Sequence, residues 1–242
     1  MDPTLPDTRA ARERVLRTLR GAAPAQALPQ PDLSAYLQGP YGRGACGQRP
    51  EPGGLIAGFE AAARSWRADL LHATPASWPQ AVRTALERRS CRRPLLGRAL
   101  WPDTRLQQAL HGLQPRCFDQ PLQRWKQAFF GEVDAGITTA CAALADTGTL
   151  VLRPGPQEPR TLSLVPPVHV ALLRASTLYA SLPAAMAALA PERDMPTNLV
   201  LITGPSKTSD IQQTLAFGAH GPKDLVIVLV DDLADGEGKE PT

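Results

Sequence analysis

Six consecutive apolar residues, Leu225-Val226-Ile227-Val228-Leu229-Val230, constrain the fold more than any other stretch of this 242-residue chain. A strand points alternate side chains to opposite faces, so an unbroken apolar run needs cover on both. Strands of that kind lie inside parallel sheets. Upstream, helical patterns at 55–66, 79–89, 103–111, 139–144, 178–189 and 209–216 are interspersed with extended ones at 68–72, 94–100, 133–137, 147–152, 168–173 and 198–203. Together these segments predict an α/β fold, an open, mostly parallel Rossmann-like sheet with helices on both faces.

The first 53 residues read differently. Ala11, Val15, Leu16 and Leu19 form one stripe of a helix over Thr8–Arg20, with Asp7 as its cap and Gly21 as its stop. An arm rich in Pro, Gly and Gln follows to residue 53. Residues 54–234 are expected to form the α/β domain and residues 235–242 a flexible tail. No apolar run nears the ~20 residues of a membrane helix, and Met1-Asp2-Pro3-Thr4 opens no secretory signal, so a cytoplasmic location is expected.

Cys46, Cys91, Cys117 and Cys141 are far apart, so no CxxC pair offers ligands to zinc or an iron–sulfur cluster. Neither a metal nor a cofactor of its own is expected. The net charge of +3 is unevenly spread: residues 1–131 carry 19 Lys/Arg against 10 Asp/Glu, and residues 132–242 carry 7 against 13. The patch Arg88-Arg89-Ser90-Cys91-Arg92-Arg93 suits either a solvated helix end or an acidic partner. No aromatic interleaving supports nucleic-acid binding.

Three constellations carry potential chemistry. Gly204-Pro205-Ser206-Lys207-Thr208-Ser209-Asp210 follows the apolar run ending at Ile202. It reads as a strand–loop–helix corner whose N–H groups and lysine suit a carboxylate or phosphate, or simply as a helix cap. It is not a Walker A loop, since it has one glycine only. Asp146-Thr147-Gly148-Thr149 admits close approach of a ligand or of another backbone. Gly218-Ala219-His220-Gly221-Pro222 presents a sterically open histidine, and His169 behind Pro166-Pro167 is similar. Each is equally at home as a structural residue. No G-x-S-x-G elbow and no GxGxxG fingerprint is present.

The order of these blocks is more specific than any one of them. Asp134-Ala135-Gly136-Ile137-Thr138, Ala145-Asp146-Thr147-Gly148-Thr149-Leu150, Leu162-Ser163-Leu164-Val165-Pro166-Pro167-Val168-His169, the loop 204–211 and Gly218–Pro222 together resemble the lactate-utilisation protein C family, also called the LUD domain. The opening helix and Pro-rich arm are similar to that family's usual start. The resemblance implies a fold like that of the sugar-phosphate isomerase and CoA-transferase group, and a part in oxidising L-lactate to pyruvate. It also implies partner subunits that carry the iron–sulfur chemistry, in keeping with the absence of clustered cysteines here. Lys207 stands where arginine is expected in many members, which keeps the charge and gives up a bidentate clamp.

The expected ligand-binding set is therefore Gly136, Thr138, Asp146, Thr147, Gly148, Thr149, His169, Gly204, Pro205, Ser206, Lys207, Thr208, Asp210, His220 and Gly221, with the catalytic residues left open. Two functions fit this set. One is an accessory or ligand-binding subunit of an iron–sulfur lactate-oxidising system, with homo-oligomerisation left open. The other is a stand-alone enzyme for a small phosphorylated, carboxylated or CoA-linked substrate.

Overall fold

A computed structural model of the chain describes residues 9–22, 52–120, 122–189, 196, 198–209, 215–217 and 221–233. The chain divides into two units, residues 1–45 and 46–242. The first contains α1 (Arg9–Ala22), a helix that buries none of its residues and runs through the glycine expected to stop it. The expected cap, Asp7, lies outside the described residues.

The second unit runs α2 (Pro52–Ser65), β1 (Asp69–Ala73), α3 (Trp78–Glu87), β2 (Pro94–Leu96), α4 (Thr104–Ala109), β3 (Arg116–Cys117), α5 (Lys126–Glu132), β4 (Ala135–Thr139), β5 (Ala142–Leu144) and β6 (Thr149–Leu152). It continues with α6 (Thr161–Leu164), β7 (Val168–Arg174), β8 (Leu178–Tyr179), α7 (Leu182–Leu189), β9 (Val200–Ile202), β10 (Lys207–Ser209), β11 (Leu215–Phe217) and β12 (Asp224–Val230). Six strands form one open sheet in the order β1-β12-β7-β4-β2-β3, and every pair in it is parallel. The apolar run is its β12, hydrogen-bonded on both edges and in register with β7 from Asp224 opposite Val168 to Val230 opposite Arg174.

Both faces of β12 are covered, as its composition demands. Val226, Val228 and Val230 join Val82 and Leu86 of α3 and Leu106 of α4 in one core. Leu225, Ile227 and Leu229 point the other way, into a core with Leu55 and Phe59 of α2 and with Ala143 and Leu150. Each large aliphatic side chain buried in this way contributes about 1.5–3 kcal/mol.

Ala143 and Leu150 belong to a second, four-stranded mixed sheet, β8-β5-β6-β9, which shares that face with α2. Its presence corrects one expectation. The alanine-rich 139–144 segment, read as a helix, ends in β5 instead. Ala142, Ala143 and Leu144 are all buried there by pairing with β6 and β8, and tertiary pairing outweighs the helix preference of alanine. Of the helix expected over 209–216, residues 210–214 lie outside the described residues, and both described ends are strands instead: Lys207–Ser209 and Leu215–Phe217 pair as an antiparallel two-stranded sheet, with Thr208 opposite Ala216.

Local chemistry explains several boundaries. The Asp103 carboxylate accepts from the N–H groups of Arg105 and Leu106 and so starts α4. In the arginine-rich patch, Arg89 pairs with Asp69 at 3.1 Å, and the N–H groups of Arg92 and Arg93 donate to the Asp134 carboxylate at 2.6 and 2.9 Å. Asp134 thereby fixes the entry to β2 beside the start of β4. Cys91, buried within the patch, has its thiol pushed up to about 11 by burial and the nearby Asp134 charge, which makes it a poor nucleophile. Asp134→Ala strips charge-assisted hydrogen bonds from two backbone donors and is expected to cost about 2 kcal/mol in urea unfolding.

Candidate functional site

In the parallel register Gly136 of β4 lies opposite His169 of β7, which puts Gly136, Thr138 and His169 on one face of the sheet. Thr138 Oγ1 and His169 Nε2 are 2.8 Å apart and both residues are buried, His169 completely. Burial alone depresses the His169 imidazole from its ordinary 6.5 to about 4, so the ring is neutral at pH 7. Nδ1 has no hydrogen-bond partner among the described residues, although it is buried. A buried ring nitrogen without a partner costs about 1–3 kcal/mol, a cost that a bound polar group would remove.

His169 lines a cavity of about 200 Å³. Leu225 lies beside it, β9 supplies Val200 to Ile202, and the loop Thr203–Ser206 forms a further wall. Ser163 and Leu164 of α6, with Gly221 and Pro222 ahead of β12, complete the lining. Drug-sized ligands occupy roughly 300–1,000 Å³. This cavity suits a molecule of only a few heavy atoms, held by hydroxyls and a neutral imidazole within apolar walls.

Of the residues expected from sequence, His169, Gly204, Pro205, Ser206 and Gly221 line this cavity, and Thr138 adjoins it through His169. Lys207 is exposed at the start of β10 and is not part of the lining, while Thr208 follows it in that strand. β10 follows the loop directly, and the Ser206 N–H is already given to the Pro222 carbonyl at 2.8 Å. Asp210 and His220 lie outside the described residues.

The Asp146–Thr149 block forms a chain of side chains rather than part of the wall. Thr147 donates to Asp146 at 3.2 Å, Thr149 donates to Thr147 at 2.8 Å, and Thr149 meets the Thr203 hydroxyl at 2.8 Å. It ties the β5–β6 turn to the cavity loop at Thr203. Gly148 takes φ +65° in that turn, and a Cβ there would run into the backbone of Ala62 and Ala63. The close approach foreseen for this block is therefore that of another backbone.

The cavity opens at the amino ends of the parallel strands, since His169 and Leu225 are the second residues of β7 and β12. Doubly wound sheets ordinarily place ligands at the carboxyl ends. Here β9 of the second sheet roofs the amino ends and makes the hollow. Sequence reasoning left Ser163 and Thr203 out of the site, although Ser163 sits in one of the ordered blocks and Thr203 directly precedes the 204–210 loop.

The LUD domain model matches residues 31–230. The chain belongs to the LUD domain family. It is 42% identical to an uncharacterized protein of Neisseria meningitidis serogroup B over 71% of this chain and 75% of that protein. A lactate utilization protein C of an Exiguobacterium species is 39% identical over 41% of this chain and 45% of its own length. A lactate utilization protein C of Macrococcus caseolyticus is 35% identical over 41% and 45%. The chain thus spans less than half the length of these two proteins. The crystal structure of a DUF162 family protein from Deinococcus radiodurans has the same fold, with a TM-score of 0.60 and 22% identity over 74% of this chain and 98% of that one. Among the described residues no cluster of three His, Cys, Asp or Glu could hold a metal, and no helix is long and apolar enough to cross a membrane.

Proposed function

We propose that this LUD domain chain is an accessory, ligand-binding subunit of an iron–sulfur system that oxidises L-lactate. In this reading the cavity beside His169 takes a small carboxylate such as lactate or pyruvate. The observation that carries the site is the completely buried, neutral His169, which lines a cavity of about 200 Å³ and whose Nδ1 has no hydrogen-bond partner among the described residues. The role in lactate oxidation is supported by family membership and by the relatives named lactate utilization protein C. A carboxylate entering such a site favours the imidazolium, so binding draws in a proton and strengthens as pH falls.

Two experiments test the proposal. L-lactate or pyruvate at a hundred times its Kd is expected to add about 2.7 kcal/mol of stability, visible as a thermal shift that His169→Gln abolishes. No shift with either acid, or one unchanged in the variant, overturns the assignment of the cavity. The chain is also expected to co-purify with iron–sulfur proteins, and its deletion to stop growth on L-lactate. Solitary purification together with unimpaired growth contradicts the accessory role.

A second reading, a stand-alone enzyme for a small carboxylated substrate, draws on the same imidazole as a hydrogen-bond donor to that substrate. The volume weighs against its CoA-linked form, because that cofactor needs a much larger cleft.

A further inference from the structure

A second, smaller cavity lies behind Thr138. It measures about 10 Å³ and is lined by Thr138, Ser163 and Glu158. That is about one water molecule, which needs two to four polar partners. Glu158 comes from the loop between β6 and α6. Its Oε2 accepts from the Thr139 N–H at 3.0 Å and the Thr139 hydroxyl at 2.8 Å, while Oε1 is buried without a partner among the described residues. Thr138 therefore stands between two hollows, touching His169 on one side and facing the Glu158 pocket on the other.

We infer that Glu158 is a positioning residue that passes protons between solvent and His169 through one water and the Thr138 hydroxyl. The inference rests on the reading of the His169 cavity as the ligand site. The transfer is balanced at each atom. The Glu158 carboxylic acid gives its proton to the water, the water gives one of its own to Thr138 Oγ1, and Thr138 gives its hydroxyl proton to His169 Nε2. Nδ1 keeps its proton, so the ring becomes the imidazolium beside the entering carboxylate, and the Glu158 carboxylate regains a proton from solvent. Burial raises the Glu158 carboxyl and depresses the His169 imidazole, so the proton rests on Glu158 and moves to the ring lastingly only when a carboxylate beside it stabilises the imidazolium. Arg153 and Arg160 line the same pocket.

The test is the rate at which His169 Nε2 gains and loses its proton, read at pH 5, above the folded pKa of about 4, by NMR on the ligand-free, full-length chain labelled at histidine. Glu158→Gln keeps an acceptor for Thr139 but cannot ionise, and it is expected to slow exchange at least tenfold. Thr138→Val, which lacks the relaying hydroxyl, is expected to do the same. Slowing in either folded variant, with His72 and His111 unaffected, supports the relay. Exchange equal to the parent in both overturns it, as does an equal change at all histidines. Because no ligand is present, a failure of lactate or pyruvate to bind would count against the proposed function and not against the relay.

Discussion

Gly136→Ala is expected to cost about 3 kcal/mol. In an ordinary strand the same change would help, because alanine loses less backbone entropy than glycine by roughly 0.5–1 kcal/mol. Here the sign reverses. A Cβ at Gly136 would collide with the Leu162 carbonyl oxygen and approach Pro166 Cγ to 3.1 Å, so α6 would have to lift off β4. β4 is paired on both sides, by β2 and β7, and cannot yield in compensation. For a chain of this size the loss corresponds to a fall in Tm of about 6–12 °C. Gly155→Ala, with nothing within 4 Å, serves as control and is expected to stay within about 0.5 kcal/mol. A Gly136→Ala protein as stable as its parent would show that α6 does not sit on the sheet as described. Since α6 carries Ser163 into the cavity, the site would then need redrawing.

The second large effect is a loss of stability in mild acid that His169 alone supplies. Its folded-state pKa of about 4 lies below the unfolded 6.5. Between those values the unfolded chain binds a proton that the folded chain refuses, so stability falls as pH drops from about 6.5 towards 4 and is unaffected above that window. The full contribution is about 3 kcal/mol, of which about 2 kcal/mol is already lost by pH 5. Glu158 acts in the opposite direction, because a carboxyl raised by burial favours the folded state at low pH. The His169 share is therefore best isolated by difference. Urea unfolding of the parent and of His169→Gln at pH 7, 6 and 5 is expected to show a gap that shifts by about 2 kcal/mol in favour of the variant. Parallel pH profiles would mean that the imidazole titrates near its ordinary value, and His169 would not be the buried, neutral group described.

The sequence made the main sheet legible where both faces of a strand had to be apolar. Leu225–Val230 and the parallel partners of that strand follow from composition and period alone. In the second sheet β6 and β9 were legible as strands, but β5 and β8 were hidden because they are only three and two residues long and β5 is rich in alanine. Their identity is set by neighbours far along the chain, which local preference does not register. The same gap explains what was and was not visible of the site. Thr138 and His169 were both singled out, but their contact depends on the register of β4 against β7, which no local pattern fixes. Lys207 drew attention as a cation at a helix start, and a strand stands there instead. The charge expected at the site thus gives way to an imidazole that acquires charge only when it takes up a proton.

That last statement is the centre of the account, and NMR of the histidine-labelled chain during titration with L-lactate and then pyruvate tests it most directly. The prediction is that one of these acids moves the ring nitrogens of His169 from the neutral to the imidazolium pattern near pH 6, while His72 and His111 stay in place. A His169 signal that ignores both acids at saturating concentration, or a response confined to other histidines, would contradict it.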